Sequence, residues 1–277
     1  MIRHALPSGF NVRRHICPLI DGKERFGFRF TLAYNNGDTY HSRAFFSFLS
    51  NICLTKRSVS LKGGFIVSDK KRTIPSLVKD PKLIEKRREQ IVEAAVDLFI
   101  HKGFHKTTTR EIARASGFSI GTLYEYIESK EDVLYLVCDA IHAEMETRLR
   151  EAINFNGTGL KIMKLALKSL IRVMDQMSDR VLLIYQESKS LPKETLRYVL
   201  GREEEISQIF VGILRKGIAD GSINIDEKHV KLMADNIMVL AEMWVFRRWA
   251  LHKHYTLEEF TEKQIALLLR EISVSEQ

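Results

Sequence analysis

The chain has little cysteine and no long apolar run, and each shortage removes a class of protein. Its three cysteines, Cys17, Cys53 and Cys138, are too few and too scattered to frame a disulfide-stapled fold, and no zinc-type Cys or His spacing accompanies them. That usage suits a reducing compartment, so a cytoplasmic protein is expected. The longest apolar tract, Ile237 to Phe246, is broken by Glu242 and too short to cross a bilayer. The N-terminus has no apolar signal core, and no membrane partner is expected. Asn156-Gly157-Thr158 matches a glycosylation sequon but, without export, reads as a turn. Enzyme signatures are missing too: there is no HExxH and no glycine-rich phosphate loop, and His252 and His254 would leave a helix on different faces. No catalytic residue, metal site or cofactor is expected.

What is present is a foldable chain with local concentrations of charge. At 277 residues and 45% hydrophobic content it suits two domains, or one with appendages. The formal charge of +8 misleads, because residues 1–80 hold 14 Lys and Arg against 5 Asp and Glu, while residues 81–277 hold 29 against 30. Any field that attracts nucleic acid must come from local clustering near the first helices.

The densest signal runs from Thr107 to Lys130, TTTREIARASGFSIGTLYEYIESK. Thr108 with Glu111 forms a capping box, in which hydroxyl and carboxylate each satisfy an orphan backbone N–H, so a helix begins there. Ile112 and Ala113 supply its buried side. Ala115-Ser116-Gly117 ends it, since glycine reaches the left-handed conformation that a sharp interhelical turn demands. Phe118 plugs the corner, and Ser119 N-caps a second helix. Its Leu123 and Ile127 face inward, while Ile120, Thr122, Glu125 and Tyr126 point outward. Two short helices at a tight turn, the second offering tyrosines and small polar residues, suit the major groove of DNA. Upstream, Ile91, Ala94, Ala95, Leu98 and Phe99 form a helical stripe closed by Lys102-Gly103-Phe104.

The ordered string Thr107-Thr108, Ile112-Ala113, Gly117, Ser119, Gly121-Thr122-Leu123-Tyr124, Tyr126 and Ser129-Lys130-Glu131 resembles the signature of the tetracycline-repressor (TetR) family of regulators, and the resemblance spans Lys82 to Ile141. It implies an all-α fold, with a three-helix helix-turn-helix DNA-binding domain at 82–128 and a helical ligand-binding and dimerisation domain at 129–277. It places Thr108, Ser119, Ile120, Gly121, Thr122, Tyr124, Tyr126 and Lys130 at double-stranded DNA. The implied function is a ligand-responsive repressor that binds a palindromic operator as a homodimer, on the nucleoid of a bacterial cytoplasm, and is released by a small-molecule effector. The alternative is a DNA-bound platform whose output is a partner protein. On the residues alone, Tyr124 and Tyr126 also read as packing residues and Lys130 as a solvated charge.

Two departures from the family pattern bear on DNA reading. Ile120 stands where relatives often carry lysine or arginine, and Glu125 where they carry histidine, asparagine or arginine. Arginine-to-guanine readout is therefore absent from this helix, and Ile120 suits a thymine methyl while Thr122 suits a phosphate or base edge. Glu125 either accepts from cytosine N4 or pairs with Arg110 or Arg114, and the ion pair is favoured. A basic arm at 67–81, with Lys70, Lys71 and Arg72, joins Lys82, Lys86, Arg87 and Arg88. It either extends the footprint into a minor groove or stands exposed.

The first 66 residues differ in texture, aromatic and polar from Arg29 to Phe46 with a hairpin-like Asn36-Gly37. They are either a small β-hairpin extension or a disordered, non-native stretch. The codons of Lys62-Gly63-Gly64 can spell a ribosome-binding sequence, and Val67 can be read from a GTG start. Translation from Val67 is therefore expected, and endogenous peptides from before Lys62 would refute it.

After Ser129 and Asp132, a second capping box, helical patterns are expected from Val133 to about Ile141 and onward to the Asn154 to Gly159 loop. Others follow at Leu160 to Met177, Asp179 to Ser190, Pro192 to Ala219, Asp226 to His254 and Thr256 to Ser273. The helix from Asp226 carries two apolar stripes: one with Val230, Ala234, Ile237, Ala241 and Trp244, the other with Leu232, Asn236, Val239, Met243 and Phe246. A helix apolar on both sides is buried on both sides, so a homodimer is expected, with Ile265, Leu268, Leu269 and Ile272 contributing. For the effector, Met163, Met174, Tyr185, Gln186 and Glu187 are cavity candidates. Arg247 and Arg248 would hold an anionic head group such as that of an acyl-CoA, or would instead pair with Glu203 to Glu205.

Overall fold

Why the chain turns where it does is visible first in its caps. The computed structural model describes residues 71–272, so the hairpin at Asn36-Gly37 and the start at Val67 lie outside the described residues. Asp80 accepts from the amides of Lys82 and Leu83 and, with Pro81 in the first turn, starts α1 (Pro81–Lys102), which ends at Gly103 with φ 84°. The Thr108/Glu111 capping box starts α2 (Thr109–Ala115), and Ser119 caps α3 (Ile120–Tyr124). Between them Gly117, at φ 76°, makes the left-handed turn. The Ser129/Asp132 capping box opens the long α4 (Lys130–Ala152).

The body continues with α5 (Gly159–Gln176), α6 (Ser178–Glu187) and a 3-10 turn (Ser188–Ser190), then α7 (Lys193–Ala219), α8 (Glu227–Phe246), α9 (Arg248–Leu251) and α10 (Leu257–Ile272). Apart from a single bridging residue, Ile223, every regular element among the described residues is helical. α5, α7 and α8 pack against one another at the centre, α4 lies against α5 and α7, and α10 covers α5. The start of α5 touches the end of α7 so closely that a Cβ on Gly159 would stand 2.2 Å from the Gly217 Cα, and one on Gly217 would stand 2.3 Å from Ile223.

The head is α1 to α3. Ile91, Ala95 and Phe99 of α1, Ile112 and Ala113 of α2, and Leu123 of α3 are buried together. Because α1 also packs on α4 and α6, head and body share one continuous core.

Two expectations about the body are corrected. The helix from Asp226 does not run to His254; it stops at Phe246, and α9 follows a break at Arg247. The break folds the chain back so that Trp244 stacks on His252 at 4.1 Å and meets Phe260 at 5.0 Å, while its indole N–H donates to Asp175 at 2.7 Å. On α10, Ile265, Leu268 and Ile272 are packed into the chain's own core. The outward apolar residue there is Leu267, 59% exposed, and on α8 the outward stripe carries Leu232 at 60% and Val239 at 62%.

Candidate nucleic-acid interface

The outer surface of α2 and α3 is assembled from short-range bonds that leave a few groups facing outward. Ser119 spends its hydroxyl on the α3 cap, accepting from the Thr122 amide at 3.0 Å and pairing with the Thr122 hydroxyl at 3.0 Å. Thr108 is similarly engaged: its amide and hydroxyl both donate to Glu111, at 2.9 and 2.8 Å. Lys102 pairs with the same carboxylate, and that bond, followed by those from Thr108, holds Glu111 down at about 2. α2 is thus anchored to α1 at its first turn.

Four features then point away from the core. Ile120 is exposed, as is Tyr124, whose hydroxyl lies 3.2 Å from that of Thr109. Gly121 is exposed, and a Cβ there would meet only the Ser119 hydroxyl, so its missing side chain serves no internal packing and leaves α3 backbone bare on this face. Beside them Arg110 and Arg114 of α2 are exposed and have no ion-pair partner among the described residues. The sequence reading cast these two arginines only as counter-ions for Glu125. Their signal was available: two cations four residues apart on the outer side of a helix whose inner side is Ile112 and Ala113. No ion pair joins Glu125 to either of them; its backbone carbonyl instead accepts from the Leu77 amide and the Ser76 hydroxyl, at 3.0 and 2.8 Å.

Two residues assigned to DNA are placed elsewhere. Tyr126 does not point outward: it is 4% exposed, past the end of α3, with its ring 6.4 Å from that of Phe118. The reason is that α3 stops at Tyr124, and the turn that follows carries both Tyr126 and Ile127 inward. Lys130 sends its ammonium back into the head, donating to the carbonyls of Phe104 and Thr107 at 2.9 Å each and lying 4.4 Å from the Phe104 ring centroid. The geometry makes it a cap for the turn between α1 and α2.

Part of the arm is tied down, while Lys82 and Lys86 are exposed and Lys70 lies outside the described residues. Lys71 pairs with Asp139 at 2.7 Å, and Arg72 with buried Asp132 at 3.0 Å. Arg88 donates to the carbonyls of Tyr126 and Ile74 at 2.9 and 2.8 Å.

The seven effector candidates have different surroundings. Met163 and Met174 are sealed in the core at 0% and 1% exposure. Tyr185 packs against Phe246 at 4.3 Å, Gln186 is exposed, and Glu187 faces His105 of the head at 4.0 Å. Arg248 pairs with Asp179 at 3.3 Å rather than with Glu203 to Glu205, and Arg247 lies 5.7 Å from the Trp249 ring. Sequence reasoning missed the acid pair beside Tyr185, Glu203 of α7 and Glu242 of α8. Burial, then the charge of Glu203, pushes the Glu242 carboxyl up to about 8, and burial also raises Glu203. Burial and these two carboxylates raise Tyr185 to about 12.

Comparison with known proteins places this geometry. Residues 91–135 match the family described as bacterial regulatory proteins, tetR family, and residues 159–270 match the tetracyclin repressor-like C-terminal domain. The chain is 28% identical over 197 residues to the HTH-type transcriptional regulator HbdR of Aromatoleum sp. (strain CIB), covering 71% of this chain and 85% of that one. To the HTH-type transcriptional repressor KstR2 of Rhodococcus jostii (strain RHA1) it is 25% identical over 167 residues, 59% of this chain and 79% of the other. Among solved structures, AibR in complex with isovaleryl coenzyme A and operator DNA superposes with a TM-score of 0.55 at 18% identity, over 65% of this chain and 97% of that one.

Proposed function

The chain belongs to the tetR family of bacterial regulatory proteins, and we propose that it acts as a repressor that binds a palindromic operator as a homodimer and is released by a small-molecule effector. The observation that carries the reading is the outward face of α2 and α3: Ile120, bare Gly121 and Tyr124 flanked by exposed Arg110 and Arg114, which have no ion-pair partner among the described residues. Tyr124 and the arginines serve the phosphates, Ile120 a thymine methyl, and Thr122, half-buried beside its cap, a base edge or phosphate.

Dimerisation is supported by the exposed stripe of α8, where Leu232 and Val239 are each more than half exposed, together with Leu267 of α10. A two-fold dimer presents two reading heads to half-sites about 34–36 Å apart. For the effector, a hydrophobic anion of the coenzyme A thioester kind is supported by likeness to AibR, which was solved with isovaleryl coenzyme A. Arg247, exposed beside Trp249, is a candidate contact for its anionic group. The regulator works on DNA in the bacterial cytoplasm.

The test is a fluorescence-anisotropy titration against the DNA upstream of its own gene and a scrambled duplex, with salt varied and Tyr124→Ala as control. Selective binding that the substitution weakens by about tenfold on both duplexes, and that isovaleryl coenzyme A weakens, is expected. Equal binding to both duplexes, unmoved by Tyr124→Ala, would refute the reading. Sedimentation should show a dimer that Val239→Glu dissociates.

A further inference from the structure

The segment before α1 carries more specific bonds than an exposed arm requires, and they point in two directions. At one end it is tied to the exit of α3. Ser76 and Leu77 both donate to the Glu125 carbonyl, and Arg88 of α1 clamps the Ile74 and Tyr126 carbonyls with one guanidinium. Ile74 is buried at 3% exposure, so the bonds sit on an apolar seat. At the other end the segment is tied to α4. The Arg72 amide donates to the Tyr135 hydroxyl at 3.0 Å, its guanidinium meets Asp132, and Lys71 meets Asp139.

Asp139 and Tyr135 are in turn the places where α7 grips α4. The Tyr198 hydroxyl of α7 donates to Asp139 at 2.8 Å, its ring lies 5.5 Å from that of Tyr135, and the Arg202 guanidinium lies 3.7 Å from Asp139. Arg202 also reaches Glu146 further along α4. One carboxylate therefore holds a lysine from the segment and two side chains from α7, and one phenol packs against an α7 tyrosine ring while accepting from the segment.

We propose that Lys71–Val78 is a strap coupling α7 of the body to the C-terminal end of α3, with Asp139 and Tyr135 as its junction and Arg72 and Arg88 as positioning residues for DNA reading. α4 joins body to head along its own axis; the strap is a second connection that crosses from the side and ends on the carbonyls where α3 terminates. A shift of α7 that moves Tyr198 must either break the bonds at Asp139 and Tyr135 or draw the strap with it. Drawing the strap pulls on Glu125 and Tyr126. Such bonds are discrete, made or broken, which is what a two-position coupling needs. The orientation of α3 on DNA, and so the role in repression, rests on the function proposed above; the mechanical link does not.

Two measurements on the full chain decide it. The first needs no DNA. Tyr198→Phe removes one hydroxyl, and amide hydrogen exchange is followed residue by residue. Loosening of the strap should speed exchange at the Arg72 and Leu77 amides by about fivefold or more, with the α5 and α8 core amides unchanged. A Leu77 amide that exchanges as before, with changes confined to α4 and α7, would overturn the strap. The second is a double-mutant cycle on operator affinity with Tyr198→Phe and Arg72→Gln. The strap requires the two effects to depart from a simple product by about threefold or more, because both act through one connection. A simple product would overturn it in favour of α4 alone. A wild-type chain that binds no operator would defeat the proposed function instead, and the exchange result would still judge the strap.

Discussion

Replacing Lys130 by methionine separates a structural lysine from a phosphate-binding one. The ammonium donates to the Phe104 and Thr107 carbonyls at 2.9 Å and more distantly to His105 at 3.4 Å, over the Phe104 ring. Lys130→Met keeps most of the stem and deletes the charge. A hydrogen bond to a charged group contributes about 1.5–3 kcal/mol, and the two short bonds carry most of the effect. The Phe104 carbonyl keeps a bond from the Thr107 amide at 3.2 Å, so it is not left bare. A loss of about 2–4 kcal/mol is therefore expected. For a domain of this size about 2–4 °C of Tm accompanies each kcal/mol, giving a fall of about 4–16 °C by scanning calorimetry. Operator binding is measured in parallel across salt. Losing a phosphate contact would lower the slope of log affinity against log salt by about 0.9, whereas losing a turn cap leaves the slope alone. An unchanged Tm with a slope reduced by about one would refute the assignment and return Lys130 to the DNA backbone.

Other substitutions probe the remaining claims. Tyr124→Ala should weaken binding to all duplexes by about tenfold, whereas Ile120→Ala should mainly relax preference at one thymine-containing position; equal effects of both on every sequence would contradict that division. Glu242 titrates at a raised value in the fold, so the folded chain holds its proton where the unfolded chain has released it. Stability from this group is present below about 4.5 and declines as pH rises toward about 8, and Glu242→Gln should flatten that decline by about 1–3 kcal/mol in urea titrations at both ends of the window. A pH dependence identical in the two proteins would show that the acid pair does not hold a proton. Gly217→Ala sets a Cβ 2.3 Å from Ile223, and with overpacking of this kind costing about 1–3 kcal/mol the urea midpoint should fall clearly; a wild-type midpoint would mean that the Ile223 side chain is free to move aside.

Local chemistry made much of this protein readable in advance. Thr108, Glu111, Gly117, Ser119, Ser129 and Asp132 act through bonds to backbone only a few residues away, so the helices they start or stop follow from spacing alone. The stripe of Ile91, Ala95 and Phe99 likewise fixed the inner side of α1. The outward placement of Ile120 followed from helical spacing in α3, whereas Tyr124 was assigned to DNA by the family resemblance alone.

What the string of residues left open depends on partners far along the chain. Lys130 reads as an exposed cation at a helix start until α1 and α2 bring the carbonyls of Phe104 and Thr107, more than twenty residues away, within its reach. Tyr126 reads as outward only if α3 continues past Tyr124, and the turn beyond that helix is held by packing against Phe118 and by the bonds from Ser76, Leu77 and Arg88 to the Glu125 and Tyr126 carbonyls. Lys71 and Arg72 read as a free basic arm because Asp132 and Asp139 lie some sixty residues on. Helix type and start are set by hydrogen bonds closed within one turn, which the sequence alone dictates. Whether a charge meets water, DNA or a carbonyl is set by which surfaces the tertiary fold brings to it.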